Sequence, residues 1–421
     1  MTATTPPTPA SQPPEPASRR GIQTLFILVA LAAVAIATGQ LRWETVVTLF
    51  LFVLILGVTV ILHELGHFIA ARLARVRVLE FGVGFPPRAA VLRDRGETVY
   101  TLNWLPIGGF VKLEGEDGDD ADDPRSFAAQ RLPIKVFILA AGVAMNLLLA
   151  FVIFAAITLT GDPALGVYVP YVDPTSPAAA AGVQVGDVIE RVDGRAFSAF
   201  GDTSIVTALN SKVGKAVTLT VLHPDGTTVN LPVTLRTAAQ LKANPDLGAL
   251  GIGRKETKDP VTGAVLPQIP LEYRATSDRV LYPVPTALHL AGDRTVTATQ
   301  LIIAGVGDLV GNLVTHPTQP PQAAGPIGIA AEIGNVFFTV GPIYTLFLAG
   351  ILSANLAVVN ILPMPPLDGG RILVIVLKSV LRGRVSLQAE RLTYVVGFAL
   401  LIGFLLWVSA FDIARQFGGG Q

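Results

Sequence analysis

Two histidines four residues apart, His63 and His67, enclose Glu64 in the run His-Glu-Leu-Gly-His. On a helix, positions i and i+4 share one face, so both imidazoles can reach one metal ion. The glutamate between them can then act as general base toward a water that such a metal holds. The uncharged stretch from Thr45 to Leu62 leads directly into the motif. Ionisable groups at membrane depth are costly unless they do something. Two hydrogen-bonded histidines at a helix end would show the same spacing, so the motif needs a third ligand before it carries chemistry.

A catalytic zinc site takes three protein ligands and leaves a fourth position open. The chain has no cysteine, so any metal is held by histidine and carboxylate. Asp368, in "NILPMPPLDGGRIL" (360–373), is the candidate third ligand. Pro363, Pro365 and Pro366 interrupt an apolar segment and free backbone groups, which lipid tolerates only where the segment lines a protein interior or cavity. Asp368 follows them in a Leu-Asp-Gly-Gly turn that can carry its carboxylate to a second helix. The bland alternative is an aspartate capping a helix just below the membrane.

These groups must be positioned by membrane helices. The chain is 51% hydrophobic and 15% charged, against about 25% charged for soluble domains. A formal net charge of zero gives no general attraction to nucleic acid. The fold expected is a polytopic α-helical membrane protein with about five transmembrane helices and an inserted α+β domain. Residues 1–21 read as a Pro-, Thr- and Ser-rich tail without apolar periodicity. Residues 22–38 read either as an extra transmembrane helix or as a signal segment, since Ala35-Ile36-Ala37 fits a cleavage pattern. Further spans are expected at about 45–70, 133–160, 343–363 and 391–410, each near the twenty residues needed to cross. The first half of the core is thus 45–160 and the second half 343–415.

Positive charge orients the spans. Arg72, Arg75, Arg77, Arg88, Arg93, Arg95, Arg125, Arg131 and Lys135 place 71–135 in the cytoplasm, and Arg371, Lys378, Arg382, Arg384 and Arg391 mark a second cytoplasmic loop. Residues 161–342 then lie outside. Of these, 161–236 are β-rich, with strands expected at 167–169, 187–192 and 217–222 and turns at Asp193-Gly194 and Asp225-Gly226. Residues 237–342 read as a connector, with a helix along the membrane surface at 298–313. The acidic run 114–123 lacks calcium-loop spacing and reads as a solvated loop. His223, His289 and His316 show no ligand spacing.

H-E-x-x-H at 63–67 and N-x-x-P-x-P-x-L-D-G at 360–369 resemble the site-2 protease family of intramembrane zinc metalloproteases, most closely the bacterial regulator of sigma-E protease type. The likeness implies Zn2+ as cofactor, with His63, His67 and Asp368 as its ligands and Glu64 as catalytic base. "FGVGFPPRAAVLRDRGETVYTLNWLPIGGFVKL" (81–113) resembles that family's membrane-dipping β-hairpin. Its Gly108 and Gly109, together with Asn360 and Asn355, are the candidates for substrate binding. "AAGVAMN" (140–146) resembles a G-P-x-x-N helix start, with Val143 in place of proline, and "GPIGIA" (325–330) matches a segment before the third core helix. "SPAAAAGVQVGDVIERVDGRAF" (176–197) is similar to PDZ domains of bacterial proteases.

The resemblance implies cleavage of transmembrane segments of single-pass membrane proteins, such as anti-sigma factors or remnant signal peptides, in the bacterial inner membrane. The active site would lie near the cytoplasmic face. The PDZ-like domain, outside, would take a peptide or chain end by strand addition. Two other readings are a membrane adaptor recruiting partners through that domain, and a transporter using His63, His67 and Asp368 as a relay. The first predicts that Glu64→Gln is harmless; the second finds no paired inverted repeats in the sequence.

Overall fold

The computed structural model describes residue 39 and residues 42–417, apart from 95, 117–121, 202, 244–247, 254–256, 259–264, 267, 269, 317–320, 322 and 382–386. The apolar segment expected at 22–38 lies outside the described residues. The chain forms two compact units: residues up to Phe154 with those from Gly292 onward, and Ala155–Ala291.

The first unit is built on long apolar helices. Helix α1 (Trp43–Leu73) carries His63 and His67 in its last third. It ends where Arg75 adopts a left-handed φ of 61° and Val76 N–H returns to Ala71 C=O, a C-terminal turn that releases the chain into a strand. Strands β1 (Val78–Asp94) and β2 (Val99–Leu113) pair with each other. Both fold back on themselves, so Phe81 has Val111 on one side and Tyr100 on the other. Phe68 of α1 packs edge-on against Phe81, ring centroids 5.4 Å apart, and fixes the sheet to the helix.

Helix α2 (Leu132–Thr160) starts with Pro133 in its first turn, where a missing N–H costs nothing. It runs antiparallel to α1: His63 faces Asn146 and His67 faces Ile138. Gly66 lets the backbones approach, because a Cβ there would strike the Ala141 carbonyl. Such small-residue contacts are how helices associate in lipid.

In the second unit, β3 (Asp162–Tyr168), α3 (Pro177–Ala180), β4 (Val188–Val192), α4 (Ile205–Asn210), β5 (Ala216–Leu222) and β6 (Thr228–Thr234) are followed by α5 (Ala238–Ala243). The small pair β7 (Thr257–Lys258) and β8 (Val265–Leu266) precedes β9 (Glu272–Val280). The five-stranded sheet has the order β6-β5-β4-β3-β9. Its fifth strand therefore comes from the stretch read above as connector. The core, with Val167, Ile189, Leu219 and Val221 buried, comes from alternate strand residues. Ser176 and Ser204 cap α3 and α4.

Helix α6 (Val284–Thr315) contains the 298–313 stretch but is 32 residues long. Then come α7 (Pro326–Thr339), α8 (Pro342–Ile361), α9 (Asp368–Val380) and α10 (Leu387–Phe417). Gly350 of α8 packs on Phe154 and Ser353 Oγ donates to Asn146 C=O at 2.8 Å, so α8 runs against α2 and parallel to α1. Gly334 of α7 packs on Thr48, and the buried Asp412 of α10 accepts from Gly328 N–H at 2.8 Å. Among the described residues, five helices are long and apolar enough to cross a membrane: α1, α2, α6, α8 and Leu392–Arg415 within α10. The chain is a polytopic membrane protein that also carries β-sheets. Helices α1, α2 and α10 contain the spans expected at 45–70, 133–160 and 391–410, and α8 covers all but the last two residues of 343–363. The fifth, α6, qualifies because the helix itself, though not its apolar pattern, continues N-terminally for almost four turns beyond Ala298, through His289, Asp293 and Arg294.

Candidate metal centre

The H-E-x-x-H register puts His63 and His67 on the face of α1 turned to α2, and both are buried. The proline-broken link after α8 places Asp368 at the first position of α9. Two glycines make that possible. A Cβ on Gly369 would lie 2.3 Å or less from backbone of Ile361, and one on Gly370 would run into Met364 and Pro365. The Leu-Asp-Gly-Gly run is thus a close-packed corner that carries the carboxylate to α1.

There, Asp368 Oδ2 is 3.0 Å from His63 Nε2 and 3.2 Å from His67 Nε2. The two Nε2 atoms are 3.1 Å apart. Bond lengths of about 2.0–2.2 Å in a tetrahedral zinc site put any two donor atoms about 3.3–3.6 Å apart. The observed triangle therefore fits one small divalent ion. Two chemical details agree. His67 Nδ1 lies 2.8 Å from the Ile138 carbonyl, which can only accept, so the ring proton sits on Nδ1 and Nε2 presents a lone pair. Asp368 Oδ2 is buried without a hydrogen-bond donor assigned to it. Among the described residues, His63, His67 and Asp368 form the one group of three or more such side chains able to share an ion.

Glu64, half-buried, lines a cavity of about 70 Å³ together with His67, Glu116, Asp368 and Arg371. That is room for a few waters. Gly109 of β2 stands over this side of α1: a Cβ built on it would lie 3.7 Å from Glu64 Cγ and 2.9 Å from Gly82 C=O. Gly108, with φ of 86°, turns the strand beside Phe85. Asn360 is half-buried in the last turn of α8, and Asn355, also half-buried, lies more than a turn earlier. Neither asparagine lines the cavity.

Gly142 and Asn146 stand in the "AAGVAMN" segment noted in the sequence, but their contacts with the histidines are not readable there, and Arg371 reads there only as a cytoplasmic charge. Gly142 of α2 lies against both histidines; a Cβ on it would come within 2.7 Å of His63 Cε1. The amide of Asn146 is 3.3 Å from His63 Nδ1. Arg371, one turn after Asp368, pairs with Glu116 at 2.6 Å and so joins α9 to the loop that follows β2. The small-residue run Ala140-Ala141-Gly142 signals a close helix contact, but nothing in it says that the neighbour is a histidine. His223 takes no part in the centre and is bonded to the buried Asp187 at 2.7 Å.

Comparison with known proteins agrees with this geometry. The family model for peptidase family M50 matches residues 51–404. The zinc metalloprotease RasP of Geobacillus kaustophilus is 26% identical over 453 aligned residues, covering 89% of this chain and 99% of that protein. A Clostridium perfringens protein, provisionally named a zinc metalloprotease, is 29% identical over 354 residues, 84% of this chain and 95% of its own. One from Campylobacter jejuni, named likewise, is 29% identical over 372 residues, 87% and 93% respectively.

Proposed function

This chain belongs to peptidase family M50, the site-2 protease family, and is a zinc metalloprotease; from that premise we propose that it cuts transmembrane segments of single-pass membrane proteins inside the bilayer. The observation that carries this is the triangle of His63, His67 and Asp368 donors, set between helices long and apolar enough to span. In this reading His63, His67 and Asp368 hold the zinc. When bound, zinc supplies Lewis acidity, polarising the scissile carbonyl and lowering the pKa of water at the open position toward about 7.

The chain's own groups do the rest. Glu64 accepts a proton from the attacking water and returns it to the leaving amine nitrogen. The cavity shared with Glu116 and Arg371 supplies that water in an otherwise apolar setting. A helical substrate hides its amides in i to i−4 bonds, so it must unwind before a carbonyl is available. Residues 109–113 pair with 78–83 and, among the described residues, with no other strand. Their free edge beside Glu64 suits main-chain pairing with an unwound segment. Gly108 and Gly109 keep that edge free of side chains, and Asn360, with Asn355 above it, offers amide donors to substrate carbonyls.

The helix directions support an orientation. Helices α1 and α8 run together and α2 runs against them, so Phe154 and Pro342 lie toward the end of the bundle opposite the metal centre. The chain between them must make an even number of crossings. Helix α7, about 21 Å long, is too short to supply a second one. Helix α6 is therefore read as lying along the membrane rather than through it. With the arginine-rich 71–135 segment in the cytoplasm of a bacterium, the metal centre faces the cytoplasmic side of the inner membrane. The PDZ-like unit then lies outside, where it takes a peptide or chain end. Anti-sigma factors and remnant signal peptides are the substrate classes this arrangement fits.

The test is cleavage of a tagged single-pass substrate by purified protein in detergent, with the cut mapped by mass spectrometry. A chelator-sensitive cut within the apolar segment is expected. A cut confined to the exposed flanks would refute the intramembrane reading.

A further inference from the structure

The two histidines of the centre are held by different kinds of group. His67 Nδ1 faces the Ile138 carbonyl, which can only accept, so its tautomer is settled by backbone. His63 Nδ1 faces the side-chain amide of Asn146 at 3.3 Å, and that amide has a donor end and an acceptor end. Asn146 is wholly buried. Its main-chain carbonyl accepts from Ser353 Oγ of α8 at 2.8 Å, a contact separate from the side-chain amide that faces the ring.

With Nδ2 toward His63, the ring nitrogen Nδ1 accepts and the ring proton sits on Nε2. There it occupies the position that a metal would take, beside Asp368 Oδ2 at 3.0 Å, which has no hydrogen-bond donor. Asn146 Oδ1 is then buried without a partner. A half-turn of the amide brings Oδ1 to the ring instead. Nδ1–H donates to it, and Nε2 exposes the lone pair that a metal needs.

From this geometry we infer that Asn146 is a positioning residue, its amide turn selecting the His63 tautomer that binds metal. The two orientations serve two states: one with the proton on Nε2, which blocks the metal position, and one ready for zinc. An apolar residue of similar size serves neither, because it leaves a buried Nδ1–H without an acceptor. An aspartate serves only the second, since its carboxylate can only accept. The inference rests on the zinc reading of the centre.

The experiment is zinc affinity of the full-length protein in detergent, measured by competition with a chelator of known affinity. Wild type, Asn146→Leu, Asn146→Asp and Ser353→Ala are compared, and the melting temperature of each chelated sample monitors folding. Removing a group that orients a ligand costs about 10–100-fold in metal affinity, and that loss is expected for Asn146→Leu alone. Asn146→Asp is expected to bind zinc at least as tightly as wild type, and Ser353→Ala to bind as wild type. Wild-type affinity in Asn146→Leu overturns the inference, as does zinc loss in a folded Asn146→Asp. Equal losses in Asn146→Leu and Ser353→Ala also overturn it, because the effect is then one of helix packing. If wild type itself binds no zinc, the metal reading falls first and the inference with it.

Discussion

Gly142 of α2 sits so close to His63 that a single methyl group on its Cα would stand 2.7 Å from the imidazole Cε1, and closer still to His67 Nε2. The centre is therefore shaped by an absence of side chain on the facing helix as much as by its ligands. Gly142→Ala should push the imidazoles off the donor triangle. Overpacking of this kind costs about 1–3 kcal/mol, or roughly 10–100-fold in zinc affinity. Zinc content after dialysis against a weak chelator measures it; full retention would show that α2 can yield.

Arg371 and Glu116 join the helix carrying Asp368 to the loop after β2, at 2.6 Å and with both side chains mostly buried. Removing one partner of a buried pair leaves an uncompensated charge and costs about 3–5 kcal/mol at full burial. Arg371→Leu is expected to lower the melting temperature and the cleavage rate together. Arg371→Leu combined with Glu116→Leu should recover much of the melting temperature. If the double variant melts no higher than the single one, the pair does not act as a unit.

Metal removal should follow proton concentration. Imidazoles bind zinc only when neutral, so protons compete for His63 and His67. Bound zinc should fall as the pH drops from about 7 to 5, a range around the free imidazole value of about 6.5, and return when zinc is restored at neutral pH. Zinc retained to pH 4 would mean a ligand set without these histidines.

In the second unit, Arg191 of β4 bonds Asp278 of β9 through Nε at 2.6 Å and Nη2 at 2.6 Å. The guanidinium holds the Asp278 carboxyl below its usual range. Because the folded-state value is depressed, the pair stabilises the fold above the unfolded pKa of about 3.9 and loses that effect as pH falls through the folded value. Arg191 is 42% exposed, so screening limits the gain to about 0.5–1 kcal/mol. Asp278→Asn should speed hydrogen exchange in β9 at pH 7 and leave it unchanged near pH 2. Equal exchange at both values would remove any role for the pair.

What the sequence made legible follows the range of each interaction. His63 and His67 are four residues apart, so helix geometry alone puts them together. Asp368 announced itself through the prolines before it and the glycines after it, since only a turn at membrane depth needs both. Gly142, Asn146 and the Glu116–Arg371 pair depend on which helix faces which, and periodicity carries no such information. Asp412 was missed for the same reason: it lies in the last helix but caps α7. Strand β9, "EYRATSDRV", is mostly exposed and charged, and its apolar alternation is too weak to mark a strand before β3 is known to pair with it. Helix α6 was read from its most apolar part only, which hid its length.

The central claim, that Glu64 is the base of a metal-dependent peptide cleavage, is tested most directly by Glu64→Gln. The amide keeps the size of the carboxylate and leaves His63, His67 and Asp368 in place. Wild type and variant would be compared for zinc content and for cleavage of the same single-pass substrate. Equal zinc is expected in both proteins, with a fall in cleavage of at least about 10²-fold, the lower range for a general base. Undiminished cleavage by a zinc-loaded Glu64→Gln protein would contradict it.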